Sequence, residues 1–377
     1  MGSIGVVALC VLSLLYALLL WRIRRTWLTH PTPPDAAHNI AALPYISVIV
    51  PARNEAAHIR SCCEALLQQD YPAHLFDVWV IDDHSTDGTA REAAQCQHPN
   101  LHIRSLSEAP HAGQGKKAAL AWGIAHSTGA FILTTDADCL PSSNWLRSFG
   151  KAMQRGGDMW LAPVSIAYRP GLLYAFQALD VAGTMLLTGA TALWGQPILA
   201  NGANMAFRRS LFHRLGGYAG NAHRASGDDI FLLQKAVAAH ASVRYITHKE
   251  ALIDTHPEHT WRALWQQRLR WASKTNDYTT WHLPLLSAGV FALSLLLLLS
   301  TWCYWVSTWH GGWIVAAWLL KMGADFFYLR TACRLVADAR WMLWFLPAQL
   351  LHVVYIVFLG MAALIPTKVV WKQRTVR

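Results

Sequence analysis

The sequence has 377 residues, of which 54% are hydrophobic and only 14% charged, and its formal net charge is +10. This imbalance argues against an ordinary soluble protein and predicts one medium-sized soluble domain joined to membrane-spanning helices. No nucleic-acid-binding module accompanies the basic excess, so anionic lipids and phosphorylated substrates are the expected partners. The seven cysteines form no CxxC pair, and we interpret them as reduced thiols rather than a disulfide framework.

The N-terminus predicts a transmembrane anchor. Residues 2–21 carry no charge and are long enough to span a bilayer. Three arginines follow directly, Arg22, Arg24 and Arg25. They predict that this end of the helix faces the cytoplasm. A cleaved signal peptide is the alternative, but a basic n-region and a small-x-small cleavage site are missing. We therefore assign residues 1–25 to the anchor and 26–44 to a proline-containing linker.

Residues 45–274 read as a soluble α/β domain. The predicted strands are 45–51, 76–82, 101–106 and 131–135, and the predicted helices are 55–69 and 116–126. Strands alternating with helices at this spacing indicate a mostly parallel sheet. Thr86 or Asp87 is expected to cap the helix after the second strand. Sheets of this kind bind ligands at the carboxyl ends of their strands.

Acidic residues follow two of these strands. Asp82 and Asp83 end the second strand, and Asp136 and Asp138 follow the fourth. In an extended chain, residues i and i+2 lie on the same side, so the carboxylates of Asp136 and Asp138 can meet. They repel each other unless a cation lies between them. Mg²⁺ or Mn²⁺ carrying a diphosphate is the usual solution.

The C-terminal third predicts two or three further spans within residues 283–367. Residues 283–309 and 341–367 are uncharged, whereas 313–329 is apolar but contains Lys321 and Asp325. Four residues apart on a helix, these two side chains can pair. A basic tail, 368–377, follows. Charge does not settle the topology. Whether or not the middle segment crosses the membrane, one group of basic residues falls outside, so the two layouts violate the positive-inside rule about equally.

Six short motifs occur in a fixed order along the soluble domain. They are VPARNE (50–55), VIDDHSTDG (80–88), GKKAALAWG (115–123), TDAD (135–138), SGDD (226–229) and QRLRW (267–271). Together they strongly resemble the family 2 glycosyltransferases, which have the GT-A fold. The QxxRW motif just before a span is similar to that of the membrane-bound subgroup containing cellulose, hyaluronan and ceramide glucosyl synthases.

The resemblance implies a nucleotide-sugar pocket at the first strands. Three residues would line it: Pro51, Ala52 and Glu55. Asp82 or Asp83 would accept hydrogen bonds from the base, usually uracil. Alternatively, one of these two caps the turn and only the other touches ligand. Lys116 begins a helix, where a cation and free N–H groups favour an anion. Ala121 stands where the family usually has asparagine, which removes a polar group near the pocket.

The resemblance also implies a metal site and a base. Asp138 would ligate the metal, and Asp136 beside it would contact the sugar or ribose part of the donor. Asp229 occupies the general-base position and would take the proton of the acceptor hydroxyl. Asp228 replaces a longer glutamate, and neighbouring carboxylates raise one pKa of such a pair, so the choice between Asp228 and Asp229 stays open. Capping of a helix by Asp228 is compatible with either role.

The QxxRW residues would complete the site. Gln267 and Arg270 share a helix face and can reach one ligand. Arg270 can hold diphosphate oxygens bidentately, and Trp271 can stack against the acceptor. The surrounding basic, tryptophan-rich stretch is also expected to lie at the membrane interface. The HPEH motif at 256–259 lacks a third ligand at usable spacing, so a zinc site is not predicted.

These inferences favour an inverting enzyme that moves one sugar from a nucleotide-sugar, with UDP favoured by resemblance, to a lipid or lipid-linked acceptor. It would be an integral membrane protein of a bacterial-type inner membrane with a cytoplasmic catalytic domain. A processive polysaccharide synthase is one alternative, disfavoured by the small number of spans. A catalytically inactive assembly partner is another, disfavoured by the intact motifs. The donor sugar, the acceptor and the oligomeric state are not specified by the sequence.

Overall fold

The computed structural model describes residues 3–30, 43–109, 113–220, 227–272, 281–306, 311–364, 369–371 and 374–376. Most of the predicted linker, the first residue of the SGDD motif, parts of the basic tail and the predicted ends of two spans lie outside these residues.

The chain divides into two compact units. A sheet unit comprises Pro31–Ala167, Thr191–His256 and Val370–Arg377. A helical unit comprises Met1–His30, Tyr168–Ala190 and Pro257–Val369. The strands are β1 Ile46–Ala52, β2 Phe76–Asp82, β3 Leu101–Ser105, β4 Phe131–Thr134, β5 Cys139–Pro141, β6 Met159–Leu161, β7 Val164–Ile166, β8 Met205–Arg208, β9 Val243–Tyr245, β10 Ile253–Thr255, β11 Val369–Trp371 and β12 Arg374–Val376. The helices are α1 Ser3–Thr29, α2 Ile59–Leu67, α3 Thr89–Ala93, α4 Lys116–His126, α5 Trp145–Gln154, α6 Leu172–Leu193, α7 Arg209–Arg214, α8 Asp228–Ala238, α9 Trp261–Ala272, α10 His282–Val306, α11 Gly311–Val336 and α12 Phe345–Ala363.

The main sheet has seven strands in the order β3-β2-β1-β4-β8-β6-β9. β3, β2, β1 and β4 run parallel to one another, whereas β8 is antiparallel to both β4 and β6. The predicted α/β fold with a mostly parallel mixed sheet is confirmed. β1, β2 and β4 are almost fully buried and mostly apolar, as expected for strands in a sheet covered on both faces. β3, at the edge of the sheet, is only partly buried.

Helix α4 packs closely on β1 and β2. A side chain at Gly123 would place its Cβ 2.8 Å from Cγ2 of Ile49, so glycine permits this approach. Buried Leu120 and Ile124 on the same helix join Ile49 and Ile81 in the core. This packing fixes the start of α4, and therefore Lys116, relative to the strand ends.

The predicted cap of the helix after β2 is wrong in detail. Gly88, in the left-handed conformation at φ +90°, occupies the N-cap position of α3. Glycine adopts this backbone geometry without the strain that Thr86 or Asp87 would incur. The carboxylate of Asp87 instead accepts a hydrogen bond from the Thr89 N–H at 3.0 Å. Because burial opposes but several hydrogen bonds favour the charged form, the pKa of Asp87 is lowered.

A second sheet joins three short strands in the order β5-β10-β7. β10 is antiparallel to β5, and Thr255 lies opposite Cys139. This pairing brings the end of β10 beside Asp138, which directly precedes β5.

The helical unit contains more apolar helices than the sequence predicted. Among the described residues, five helices are long and apolar enough to cross a membrane, judged by length and composition: Ile4–Thr29, Leu172–Leu193, His282–Trp302, Gly311–Val336 and Ala339–Ala363. The first and the last three correspond to the predicted anchor and C-terminal spans, although the first helix continues beyond the predicted anchor into the linker. Helix α6 was not predicted, and its residues had been assigned to the soluble domain.

A polar cluster lies among α1, α11 and α12. Nζ of Lys321 is 2.5 Å from Oδ2 of Asp325, the pairing expected from their spacing. The Tyr16 hydroxyl donates to Oδ1 of Asp325 at 2.6 Å, and Oε1 of Gln349 lies 3.4 Å from the ammonium. Both charged side chains are 3% exposed. Pairing of this kind offsets the cost of placing charge inside an apolar bundle.

Candidate functional site

The ends of β1 and β2 bring together the residues predicted to bind a nucleotide. Ala52 pairs with Asp82 across the two parallel strands, and Pro51 precedes it. The Asp83 N–H donates to the Ala52 carbonyl at 2.8 Å. Glu55 follows β1, and its N–H donates to the Thr89 hydroxyl at 2.8 Å. The five predicted residues therefore share one edge of the sheet.

Asp82 combines a structural contact with an open acceptor. Its Oδ2 accepts from the Ser85 N–H at 3.3 Å and from the Ser105 hydroxyl at 3.4 Å. Its Oδ1 is buried and has no hydrogen-bond partner within the described part of the chain. A buried acceptor without a donor costs free energy, so this oxygen is suited to a donor that arrives with a ligand. One carboxylate thus supports the turn and can also receive a base N–H.

Asp83 contributes to the same turn. Its Oδ1 lies 3.1 Å from Nδ1 of His84. The guanidinium of Arg53 donates to the carbonyl oxygens of Asp83 and His84, at 2.6 and 3.1 Å. His84 has a positive φ of 56°. Arg53 thereby fixes the loop that follows β2.

Lys116 connects two acidic segments that are distant in sequence. Its Nζ lies 2.6 Å from Oδ1 of Asp136 and 3.5 Å from Oδ2 of Asp228. Burial opposes the charge of Lys116, but Asp136 and Asp228, with Asp229 behind them, outweigh it and raise its pKa. Lys116 is therefore a fixed cation at neutral pH. It contacts one aspartate from the end of β4 and one from the start of α8, so it brings the two acidic segments together.

Gly202 is a site residue that the sequence analysis missed. Its N–H donates to Oδ2 of Asp229 at 3.2 Å, and its carbonyl accepts from the Thr134 hydroxyl at 2.7 Å. A Cβ at this position would lie 2.7 Å from Oδ2 of Asp228. Glycine is therefore required for the backbone to approach both carboxylates. Only the three-dimensional contact between the end of β4 and the start of α8 reveals this role.

Asp228 and Asp229 begin helix α8. Gly227, at φ +83°, is the N-cap residue, so the cap expected at Asp228 lies one residue earlier. Glycine tolerates this left-handed geometry, whereas aspartate would be strained there. Oδ1 of Asp229 accepts from the Ile230 N–H at 2.7 Å. Two carboxylates in the first helical turn are favoured by the helix dipole.

Asp138 is held by the second sheet. The Thr255 hydroxyl donates to its Oδ2 at 3.3 Å. Burial, with added repulsion from Asp138 and Asp136, raises the pKa of the Cys139 thiol well above its usual range. This cysteine is consequently a neutral thiol at physiological pH.

The donor set at Asp136 and Asp138 fits a hard divalent cation that arrives with its ligand. Within the described residues, no group of three or more His, Cys, Asp or Glu could by itself hold a metal ion. Mg²⁺ commonly takes only one or two carboxylates and completes its shell with phosphate oxygens and water. Asp136 contacts Lys116 at 2.6 Å, whereas Asp138 accepts a hydrogen bond from the neutral Thr255 hydroxyl.

Tyr218 is a second residue missed from the sequence. It is 8% exposed, and its hydroxyl has no hydrogen-bond partner among the residues described. Burial raises its pKa well above the usual range, and the negative charge of Asp228 adds to this effect. No sequence motif marks this tyrosine.

The QRLRW residues lie on α9 in the helical unit. Nε2 of Gln267 donates to Oε1 of Glu258 at 3.0 Å. Trp271 is 42% exposed, so much of its ring surface is open. The guanidinium carbon of Arg268 lies 4.2 Å from the centre of the Trp271 ring. The structure therefore places the predicted residues in two groups, the acidic sheet edge and the α9 motif, one in each compact unit.

Known proteins resemble this chain over most of its length. A family model described as glycosyl transferase family 2 matches residues 47–216. Glycosyltransferase AglE of Haloferax volcanii is 30% identical over 262 residues, covering 68% of this chain and 81% of AglE. Probable glycosyltransferase YdaM of Bacillus subtilis is 27% identical over 252 residues, which are 65% of this chain and 58% of YdaM. A beta-monoglucosyldiacylglycerol synthase of Nostoc sp. is 32% identical over 114 residues, covering 30% of this chain and 24% of the synthase.

A solved structure supports the fold. The mannosyltransferase PcManGT from Pyrobaculum calidifontis, in complex with GDP-Man and Mn²⁺, aligns with a TM-score of 0.56 at 22% identity, covering 96% of both chains. This likeness, together with the mixed sheet, identifies the GT-A fold. Taken with the 30% identity to AglE over 81% of that protein, these findings show that the chain belongs to glycosyl transferase family 2.

Proposed function

We propose that this chain is an inverting glycosyltransferase that moves one sugar from a nucleotide-sugar, with UDP as the favoured nucleotide, to a lipid or lipid-linked acceptor. The observation that carries the proposal is the cluster of Asp136, Asp228 and Lys116 at the carboxyl ends of parallel strands. Open α/β sheets bind ligands at that edge. Carboxylates clustered around a fixed cation suit a diphosphate accompanied by a divalent metal.

The nucleotide would bind at β1 and β2. The open Oδ1 of Asp82 would accept the imide N–H of uracil. Pro51, Ala52 and Glu55 would line the pocket, and Asp83 would hold the turn beside it. Lys116 and the N-terminus of α4 would attract the diphosphate. Asp138, with Asp136 beside it, would hold the Mg²⁺ or Mn²⁺ that neutralises charge on the departing nucleoside diphosphate.

Asp229 would act as the general base. It would take the proton of the acceptor hydroxyl as that oxygen attacks the anomeric carbon and the bond to the diphosphate breaks. A single displacement inverts the anomeric configuration. Asp228 is already engaged by Lys116, which favours Asp229 as the proton acceptor. The two Asp229 oxygens accept the backbone N–H groups of Gly202 and Ile230, which orient the carboxylate.

The acceptor is proposed to be a lipid for two reasons. Five helices in the described part of the chain are long and apolar enough to cross a membrane, which would give the protein access to lipid substrates. One relative acts, by its name, in the synthesis of monoglucosyldiacylglycerol, a lipid. Arg270 and Trp271 of the α9 motif would contact the diphosphate and the acceptor, and the exposed ring of Trp271 is compatible with stacking. The catalytic domain would face the cytoplasm, as the arginines after the first span predict.

A processive polysaccharide synthase is the second candidate. The small number of predicted spans argues against this function, but the additional helix α6 weakens that argument. The two functions differ in their product, a glycolipid against a growing polymer. Product analysis therefore decides between them.

The test is transfer by membranes and by the purified full-length protein. Labelled UDP- and GDP-sugars are supplied with Mg²⁺ or Mn²⁺, and lipid is separated from polymer. We expect label from one donor in the lipid fraction, and its loss in Asp229→Asn. The matched control is Glu64→Gln, an exposed acid paired only with Arg60 on its own helix. Label confined to polymer would support the synthase, and no transfer from any donor would contradict the proposal.

A further inference from the structure

Helix α6 contains one acidic side chain within an otherwise uncharged stretch. The sequence of Leu172–Leu193 is LLYAFQALDVAGTMLLTGATAL, and Asp180 is its single charge. A lone carboxylate in an apolar helix is costly unless it has a partner, and it commonly marks a functional contact. The nearer of its two basic neighbours, Arg268, belongs to the motif helix α9, and Nε2 of His352 on α12 lies 3.9 Å from Oδ1 of Asp180.

Asp180 is connected to Trp271 through Arg268. Nη2 of Arg268 lies 2.8 Å from Oδ2 of Asp180. The same guanidinium lies over the Trp271 ring, with Cζ 4.2 Å from the ring centre. Arg268 is 3% exposed, whereas Trp271 is 42% exposed. The buried guanidinium, held by the partly buried Asp180, therefore supports the Trp271 ring, and much of that ring stays exposed.

Gln177 makes a parallel connection to Gln267. One helical turn before Asp180, its side-chain amide forms two hydrogen bonds with the backbone of Glu258. Oε1 accepts from the Glu258 N–H at 2.8 Å, and Nε2 donates to the Glu258 carbonyl at 3.0 Å. The side chain of Glu258 then accepts from Nε2 of Gln267 at 3.0 Å. Gln177 is itself 2% exposed.

We propose that α6 positions the QRLRW motif through two side chains: Asp180 places Trp271 by way of Arg268, and Gln177 places Gln267 by way of Glu258. Asp180 and Gln177 are positioning residues, since each acts through another side chain. The inference rests on the proposed function, because it assigns α6 the task of orienting the acceptor side of that site.

Net stability alone is a poor explanation for the Asp180–Arg268 pair. Nε and Nη1 of Arg268 are buried and have no hydrogen-bond partner among the described residues. Desolvation of such a pair largely offsets its attraction, and apolar residues of similar volume often serve stability as well. An ion pair instead makes the packing of two helices specific, because it determines which of their side chains meet. Small displacements of a substrate-orienting group can lower a rate about a hundredfold.

The first test compares transfer with donor hydrolysis in the full-length protein. Asp180→Asn is expected to lower transfer at least about tenfold while donor hydrolysis and the donor KM stay within about twofold. Asp180→Glu keeps the carboxylate and should recover part of the transfer. Thr184→Val is the matched control, because Thr184 is an exposed residue of α6 whose hydroxyl donates to the Asp180 carbonyl within the helix.

A double-mutant cycle separates the pair from its members. If Asp180 and Arg268 act as a unit, the combination of Asp180→Asn with Arg268→Gln should lose no more transfer than either single variant. If the fold losses of the two single variants multiply in the double variant, the residues act separately and the proposed route to Trp271 is overturned.

Hydrogen–deuterium exchange provides a readout that does not depend on activity. Asp180→Asn and Gln177→Leu should each accelerate exchange in α9, Trp261–Ala272, without a matching change in the sheet unit. Unchanged exchange in α9, or transfer and hydrolysis falling together with thermal stability, overturns the positioning role. Failure of the wild-type protein to transfer any sugar contradicts the proposed function instead, while exchange in α9 still decides the positioning.

Discussion

The two compact units arrange their charged side chains differently. At the sheet edge, the carboxylates of Asp136 and Asp228 both contact the ammonium of Lys116, and a further aspartate follows each of them closely in sequence. In the helical unit, Lys321 pairs with Asp325 and Arg268 pairs with Asp180. Carboxylates cluster around one lysine in the first region, whereas acids and bases are matched in pairs in the second.

The difference indicates which region does chemistry and which provides support. A cluster of carboxylates beside a fixed lysine is suited to a divalent cation and a phosphorylated ligand. A matched ion pair between helices fixes the helices that carry it. Changes at the sheet edge should therefore alter turnover, whereas changes in the helical pairs should alter stability or geometry.

The largest expected effect follows from removal of the proposed base. Asp229→Asn keeps the shape of the side chain but removes the proton acceptor, so kcat should fall by about 10³-fold. Steady-state transfer assays measure this, with Glu64→Gln as the control. If Asp228→Asn abolished transfer while Asp229→Asn retained it, the base would be Asp228, and the assignment of the pair would be reversed.

Metal removal should have the next largest effect. Treatment with a chelator should lower transfer by at least about a hundredfold, because a divalent cation stabilises the leaving diphosphate by several kcal/mol. Added Mn²⁺ or Mg²⁺ should restore the rate. In Asp138→Ala, neither metal should restore it at concentrations that saturate the wild-type protein. Full transfer in the presence of chelator would contradict the proposed need for a metal ion.

Lys116→Met should weaken donor binding about ten- to a hundredfold, since it removes the cation that faces the diphosphate. The donor KM measures this effect. The raised pKa of Lys116 means that its stabilising charge is present at neutral pH and is lost only as the pH rises through that raised value. Donor affinity should therefore show no titration of this group between about pH 6 and 9. A donor KM unchanged in the variant would exclude Lys116 from the pocket.

Tyr16→Phe tests the opposite side of the comparison. It removes the hydroxyl that donates to Oδ1 of Asp325 at 2.6 Å but leaves the ion pair with Lys321 intact. The free energy of unfolding should fall by about 1 kcal/mol, and transfer at moderate temperature should be unchanged. Thermal unfolding in detergent and transfer assays measure the two quantities. A large loss of transfer without a loss of stability would assign chemistry to the helical unit.

Local patterns in the sequence predict the half of the fold that binds the proposed donor. The strand Phe76–Asp82 and the helix Lys116–His126 have the predicted bounds, because continuous apolar runs and a glycine at a helix start are local signals. Parallel pairing of β1, β2 and β4 then brings their carboxyl ends together, as expected from the alternation of strands and helices. The positions of Asp82 and Asp136 follow from that arrangement alone.

Contacts between distant segments could not be predicted in this way. β5, β7 and β10 have three residues each, and they form only because they pair with one another. The bond from Thr255 to Asp138 and the approach of Gly202 to Asp229 depend on such pairings. Helix α6 was not predicted, although Leu172–Leu193 carries a single charge, at Asp180. That lone charge was a usable signal, since a carboxylate in an apolar helix requires a partner.

Equilibrium binding of UDP and GDP by the purified full-length protein, with and without Mn²⁺, tests the sheet-edge site most directly. We expect one nucleoside diphosphate to bind with at least about tenfold higher affinity in Mn²⁺, since the cation would bridge the diphosphate to Asp138. Asp138→Asn should lose this metal dependence, and Tyr16→Phe should keep it. Binding that is independent of metal, or a metal effect that survives in Asp138→Asn, would contradict the account of the acidic sheet edge.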